Sequence, residues 1–283
     1  NLTFNYFLIF GRMGFPRLEV RGAAIATVLS RFVELAVIAG WTHAHAVRNR
    51  FVHGVYRKIH IPGRLAKQIF VKGMPLMYNE ILWAAGTAIL NQCYSMRGLE
   101  AVAATNISST IFNVFNVVYM ALGVAVGIVV GQKLGAGEME EARETDTRMI
   151  VFAVLSCLGL GVLLFATAPL FPAIYNTTDE VRALATNLMR VSASFMPMYA
   201  FLHTCYYTLR SGGKTVITFF FDSGFIWVCS MPLAFCLARF TSVPLVTMYA
   251  LCQGIELIKC VIGFILVKKG VWLHNLVSQK ESA

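Results

Sequence analysis

Ile107 to Gly131 reads ISSTIFNVFNVVYMALGVAVGIVVG, without one charged residue. A helix that crosses a bilayer needs about 20 mostly apolar residues, because each advances roughly 1.5 Å through a hydrocarbon core about 30 Å thick. This stretch satisfies that requirement. Asn106, Ser109, Asn113, Asn116 and Tyr119 follow at steps of 3, 4, 3 and 3, which puts all five on one face of a helix. Lipid does not tolerate three amides there, so the face meets protein or water. Hydrogen bonding to another helix and the wall of a hydrated cleft both satisfy it. Further on, Gly123, Gly127, Gly131 and Gly135 recur every fourth residue, a small-residue ridge that lets a second helix approach closely.

The rest of the chain repeats the pattern. Of its 283 residues 57% are hydrophobic and 13% charged, too few charges to cover a water-facing surface. Full apolar blocks lie near 22–41, 70–96, 107–131, 149–172, 184–209, 215–238 and 243–267. An eighth, from Leu2 to about Phe15, looks shortened at its start. The blocks are too long for barrel strands of about 10 alternating residues. The fold class expected is therefore an all-α integral membrane protein with about eight transmembrane helices. The chain opens on Asn1 without a charged leader, so no signal peptide and some missing N-terminal sequence are expected.

Charge gives an orientation. Counting alternate loops, fifteen Lys and Arg fall on one side, among them Arg48, Arg57, Lys58, Lys133, Arg143, Arg210, Lys268 and Lys280, and six on the other, among them Arg12, Arg97, Arg182 and Arg239. The positive-inside rule puts the fifteen, and the tail, in the cytoplasm. The net charge of +10 is then loop charge facing anionic lipid. No stretch joins clustered bases to exposed aromatics, and no nucleic-acid partner is expected. The seven cysteines form no C-x-x-C and read as small packing residues, not as disulfides or a metal site. His43 and His45 read as interfacial, and no metal is expected.

Other motifs carry little chemistry. Ser211 to Thr215 ends like a P-loop but has Thr208 where the first glycine belongs. Asn176-Thr177-Thr178 fits a glycosylation sequon; Thr178 followed by Asp179 and Glu180 reads better as a helix N-cap. There is no G-x-S-x-G, no H-E-x-x-H and no pair of acids in register on one helix, so no enzyme is expected. The longest polar stretch between blocks, Arg48 to about Ile69, reads as a linker. Glu34 beside Arg31 and Glu256 beside Lys259 suggest a repeat offset by 222 residues. Parallel repeats of six helices are one transporter plan.

Ionisable residues within the blocks are functional candidates. Glu80 lies eight residues from Lys72, Asp222 eight from Lys214, His203 seven from Arg210 and Lys259 nine from Lys268. At about 1.5 Å per residue each sits roughly 10–12 Å from the cytoplasmic rim. One coupled polar site and a set of static ion pairs both follow from a common depth. Glu80 shares a face with Thr87 and Asn91, opposite the amide stripe of Asn113 and Asn116. The candidate ion and substrate residues are Glu80, Asn91, Asn113, Asn116, His203 and Asp222. Tyr78, Trp83, Tyr119 and Tyr206 offer cation–π faces.

These residues resemble a family. Phe10-Gly11 with Phe15-Pro16 and the run Gly22 to Thr27 look like the fifth and sixth helices of MATE (multidrug and toxic compound extrusion) transporters. Val130-Gly131-Gln132-Lys133-Leu134-Gly135-Ala136-Gly137 resembles the end of their eighth helix, and Leu209 to Gly213 their tenth-to-eleventh turn. The resemblance implies twelve helices in two six-helix lobes. Residues 1–46 would then end the N-lobe, 47–69 form the cytoplasmic inter-lobe linker, and 70–283 form the C-lobe and tail. It implies a monomeric multi-pass protein of the cell membrane that exports cationic amphipathic compounds by antiport. Its partners are the bilayer and those small cations, with no cofactor beyond a coupling Na+ or H+. One branch has acids on its seventh and tenth helices; the matching positions here are Trp83 and Tyr199, with Glu80 one turn before the first. Another branch relies on an acid of the first helix, which this chain does not show. A lipid-linked sugar flippase is the alternative, but it would need several cations in its cleft. The last six blocks hold only Arg190 and Lys259.

Overall fold

The computed structural model describes residues 2–11, 14, 16–49, 52 and 62–273. Arg12, Phe15, Arg57, Lys58 and Lys280, used in the readings above, and much of the expected linker lie outside them. Among the described residues the structure is helical, without a strand. It divides into two compact units, Asn1–Ala66 and Lys67–Ala283.

In the first unit α1 (Leu2–Phe10) and α2 (Glu19–Ala44) pack together, and the Leu18 N–H donates to the Leu8 carbonyl at 2.9 Å. The second contains the length of α3 (Gly63–Ser95) beyond Ala66, then α4 (Leu99–Ala136), α5 (Met139–Thr167), the short α6 (Leu170–Ala173), α7 (Asp179–Ser211), α8 (Thr215–Phe240) and α9 (Leu245–Lys268). α9 breaks for one residue at Ile255.

Among the described residues five helices are long and apolar enough to cross a membrane: α2, α4, α5, α8 and α9. α3 and α7 do not meet that standard, although each lies on one of the seven full blocks. The reason is visible for α7. It touches α4, α5, α6, α8 and α9, so protein, not lipid, surrounds most of it. Its perimeter therefore accommodates Ser192, Thr204 and Thr208, all buried. One core cluster gathers Val181, Ala185 and Leu188 at its start with Tyr94, Ala104 and Met248. Another gathers Cys205 and Leu209 at its end with Val130, Phe221 and Trp272.

Local chemistry sets the ends. Thr178 caps α7, its hydroxyl accepting the Val181 N–H at 3.4 Å, with Asp179 and Glu180 in the first turn. α4 ends at Gly137, where the backbone turns left-handed at φ 83°. There Lys133 crosses to Glu141 at 2.6 Å. Arg97 donates to the last carbonyls of α8, Leu237 at 2.7 Å and Thr241 at 2.9 Å. The glycine ridge of α4 serves in part. A Cβ at Gly123 or Gly127 would lie 2.9 Å or 3.2 Å from the Tyr207 ring of α7, while Gly135 meets nothing within 4 Å. All seven cysteines are free thiols, and Cys93, Cys157, Cys205 and Cys252 are buried.

Candidate functional site

A buried polar network lies where α3, α7, α8 and α9 meet. α8 is not a regular α-helix there: Phe220–Gly224 and Ile226–Ser230 are π-helical turns. Such turns are rare and arise where something takes a backbone group out of the helical ladder. Here the intruder is Asn79 of α3. Its side-chain oxygen accepts the Ser223 N–H at 3.3 Å and lies 2.7 Å from the Ser223 hydroxyl. A turn further on, Trp227 Nε1 donates to the Leu82 carbonyl at 3.0 Å. α3 and α8 are thus joined by side chain to backbone bonds, which take no account of hydropathy.

The amide of Asn79 points the other way. Its Nδ2 donates to Asp222 Oδ2 at 3.2 Å and to the Tyr206 hydroxyl at 3.4 Å. Lys259 of α9 donates to the other oxygen, Asp222 Oδ1, at 3.0 Å. The same ammonium lies 3.7 Å from Glu256 Oε2, and Ser230 donates to Glu256 Oε1 at 2.9 Å. Lys259 therefore stands between two carboxylates, with the Phe221 ring 5.2 Å away. With all three groups ionised the trio keeps one negative charge. An additional cation or a proton neutralises it, and Lys259 can shift toward Glu256 to release Asp222 Oδ1.

The residues chosen from sequence do not all meet. Asp222 is inside this network. His203 lies one turn before Tyr206 and Tyr207 on α7, half-buried, its ring 5.0 Å from that of Tyr119. Glu80 is exposed and makes no hydrogen bond or ion pair among the described residues. Its predecessor Asn79 enters the network instead, since successive helical residues point about 100° apart. Asn113 and Asn116 bond to each other at 3.0 Å along α4. Asn91 lines a cavity of about 210 Å³ with Gln92, Asn106 and Ser109, so part of the amide stripe does face α3. Of the aromatics, Tyr206 is buried against Asn79, Tyr119 is buried beside His203, and Tyr78 and Trp83 are exposed. The Tyr199 hydroxyl is buried without a hydrogen-bond partner among the described residues.

Sequence reasoning missed Asn79, Ser223 and Ser230. The available signal was an amide beside the one acid of α3, within an apolar block. The repeat reading placed Glu256 beside Lys259 alone. The structure makes it the second of two carboxylates competing for one ammonium.

The MatE family model matches residues 75–236. The probable multidrug resistance protein NorM of Thermotoga maritima is 23% identical over 283 residues, covering 99% of this chain and 60% of its own length. That of Halalkalibacterium halodurans is 25% identical over 246 residues, covering 85% of this chain and 52% of its own. Among solved structures, MATE in complex with MaL6 aligns at a TM-score of 0.80 with 19% identity, over 94% of this chain and 60% of that one. A MOP superfamily transporter from Pyrococcus furiosus aligns at 0.67 with 14% identity, over 75% of this chain and 48% of that one. The chain spans about half to three fifths of the length of the curated relatives it matches.

Proposed function

The chain belongs to the MatE family, and on that premise we propose that it is part of a multidrug efflux transporter of the cell membrane. Such a protein exports amphipathic cations by alternating access, each outward step driven by Na+ or H+ moving the other way. Related proteins carrying multidrug-resistance names support the transport reading. The observation that carries the coupling is the buried trio of Asp222, Lys259 and Glu256, steadied by Asn79.

In the proposed cycle, Asp222 takes the driving ion. An incoming Na+ or proton neutralises it and weakens its hold on Lys259, whose ammonium moves toward Glu256. Asn79 loses its charged acceptor in the same step, which weakens one of the bonds that join α3 to α8 and leaves those to Ser223 in place. Ion binding thereby biases the packing of two helices, which is the kind of linkage antiport requires. His203 stands one turn from Tyr206 and, with the Tyr119 ring of α4 against its own, transmits the change along α7. Glu80 is the exposed acid next to Asn79, and it receives the substrate's positive charge. Asn91, Asn113 and Asn116 form the polar wall.

The test is efflux of a fluorescent organic cation from vesicles holding the full-length gene product, under imposed Na+ or pH gradients. Asp222→Asn should fold yet lose the gradient dependence, and Glu80→Gln should raise the substrate KM more than it alters that dependence. Normal rates with unchanged Na+ and pH dependence in Asp222→Asn would remove the trio from the mechanism.

A further inference from the structure

Arg190, one of the two bases within the last six apolar blocks, takes no part in the network around Asp222. It is half-buried on α7, with its guanidinium carbon 5.5 Å from the centre of the Phe165 ring of α5. Among the described residues it makes no ion pair and no side-chain hydrogen bond. Of its three side-chain nitrogens only Nε is covered. A guanidinium held among apolar side chains without a partner is costly, and an anion removes that cost.

An apolar groove continues from it toward the middle of α5. The two helices run antiparallel. Phe165 meets Arg190, and four residues earlier on α5 a Cβ at Gly161 would lie 2.6 Å from the Ala193 carbonyl. Beside that crossing is a cavity of about 250 Å³ lined by Leu158, Val162, Phe165, Ala193 and Pro197. Leu158, Val162 and Phe165 are exposed, at steps of 4 and 3 on one face of α5. From Phe165 to Leu158 is seven residues, about 10 Å of helix. Arg190 comes three residues before Ala193, so it stands at the end of the groove nearer Thr167 and the start of α7. Its side chain leans that way too, since a helical Cβ tilts toward the N-terminus. Just past α5, Leu170, Ile174 and Tyr175 are exposed, an apolar and aromatic rim of the kind that marks a membrane–water boundary. The base is thus nearest the boundary, and the apolar wall runs deeper from it.

We propose that this groove binds a phospholipid with an anionic headgroup, in the leaflet at the Thr167 end of α5. The phosphodiester lies on the terminal nitrogens of Arg190, whose planar fork suits two oxygens. One acyl chain descends past Phe165 along Val162 and Leu158. The loop charges make this the outer leaflet. A zwitterionic headgroup brings an ammonium for which Arg190 has no acid at hand among the described residues. The organic cations proposed as substrates are repelled at the same point, which keeps the groove separate from the transport site.

The full-length gene product is reconstituted in phosphatidylcholine vesicles. These carry a trace of phosphatidylglycerol or phosphatidylcholine with a photoactivatable diazirine on one acyl chain, and the labelled peptides are identified after illumination. The peptide holding residues 158–165 should take about tenfold more label from phosphatidylglycerol than from phosphatidylcholine. Arg190→Gln should bring phosphatidylglycerol down to the phosphatidylcholine level, and Arg190→Lys should keep part of the preference. Inorganic phosphate in excess should leave the labelling unchanged. Equal labelling by the two lipids in the unaltered protein would overturn the proposal, which keeps the test decisive if a variant misfolds. So would a preference that survives Arg190→Gln. No label on this peptide from either lipid would overturn it as well, since protein beyond this chain would then cover the groove. A preference erased by inorganic phosphate would make Arg190 a site for the free anion, with the same result.

Discussion

Two glutamates sit in the same sequence setting and fare differently. Glu34 on α2 pairs with Arg31 at 2.7 Å, and Glu256 on α9 approaches Lys259 at 3.7 Å, each pair three residues apart. The spacing is equivalent and makes them look like one device used twice. Yet the Arg31 and Glu34 side chains are 76% and 52% exposed, while those of Lys259 and Glu256 are 8% and 15%. Among the described residues the first pair bonds only within itself. The second recruits Asp222 and Ser230 of α8 and, through Asp222, Asn79 of α3. An ion pair thus takes its strength and its use from what packs around it. An exposed pair contributes about 0–1 kcal/mol, whereas removing one partner of a buried pair costs about 3–5 kcal/mol.

The largest effect expected is that of Lys259→Met. It leaves Asp222 and Glu256 facing each other without a cation and should destabilise the full-length protein by about 3–5 kcal/mol, read from thermal unfolding in detergent. Adding Asp222→Asn and Glu256→Gln removes the stranded charges and should restore most of that loss. If Lys259→Met unfolds at the normal temperature, the trio is hydrated and the contrast with α2 disappears.

Asn79→Ala is expected to be intermediate. It removes the donor to Asp222 and the acceptor of the Ser223 N–H, at a cost of about 1–3 kcal/mol. Hydrogen exchange should also rise at Phe220–Gly224, since the π turn loses its external partner. A variant with unchanged exchange there would show that α8 bends for reasons of its own.

The smallest effect belongs to Arg31→Ala, about 0–1 kcal/mol and less in high salt. A loss as large as that of Lys259→Met would mean that the α2 pair is covered by protein beyond this chain.

Composition, block length and charge asymmetry were enough to read a polytopic helical membrane protein from sequence. The motifs around Gly131 and Gly212 were enough for its family. Those signals are local: hydropathy reports what surrounds a helix on average, and Thr178 caps α7 through a contact three residues long. Distance from a basic rim also placed Asp222 and Lys259 at one depth. Spacing along a helix fixes height and relative bearing, but not which neighbouring helix a face meets. The choice of Asn79 over Glu80, the doubled claim on Lys259, the π turns of α8 and the place of Arg190 at the end of an apolar groove therefore depended on tertiary packing. Each is decided by rotations of whole helices against one another, which no spacing within a single helix records.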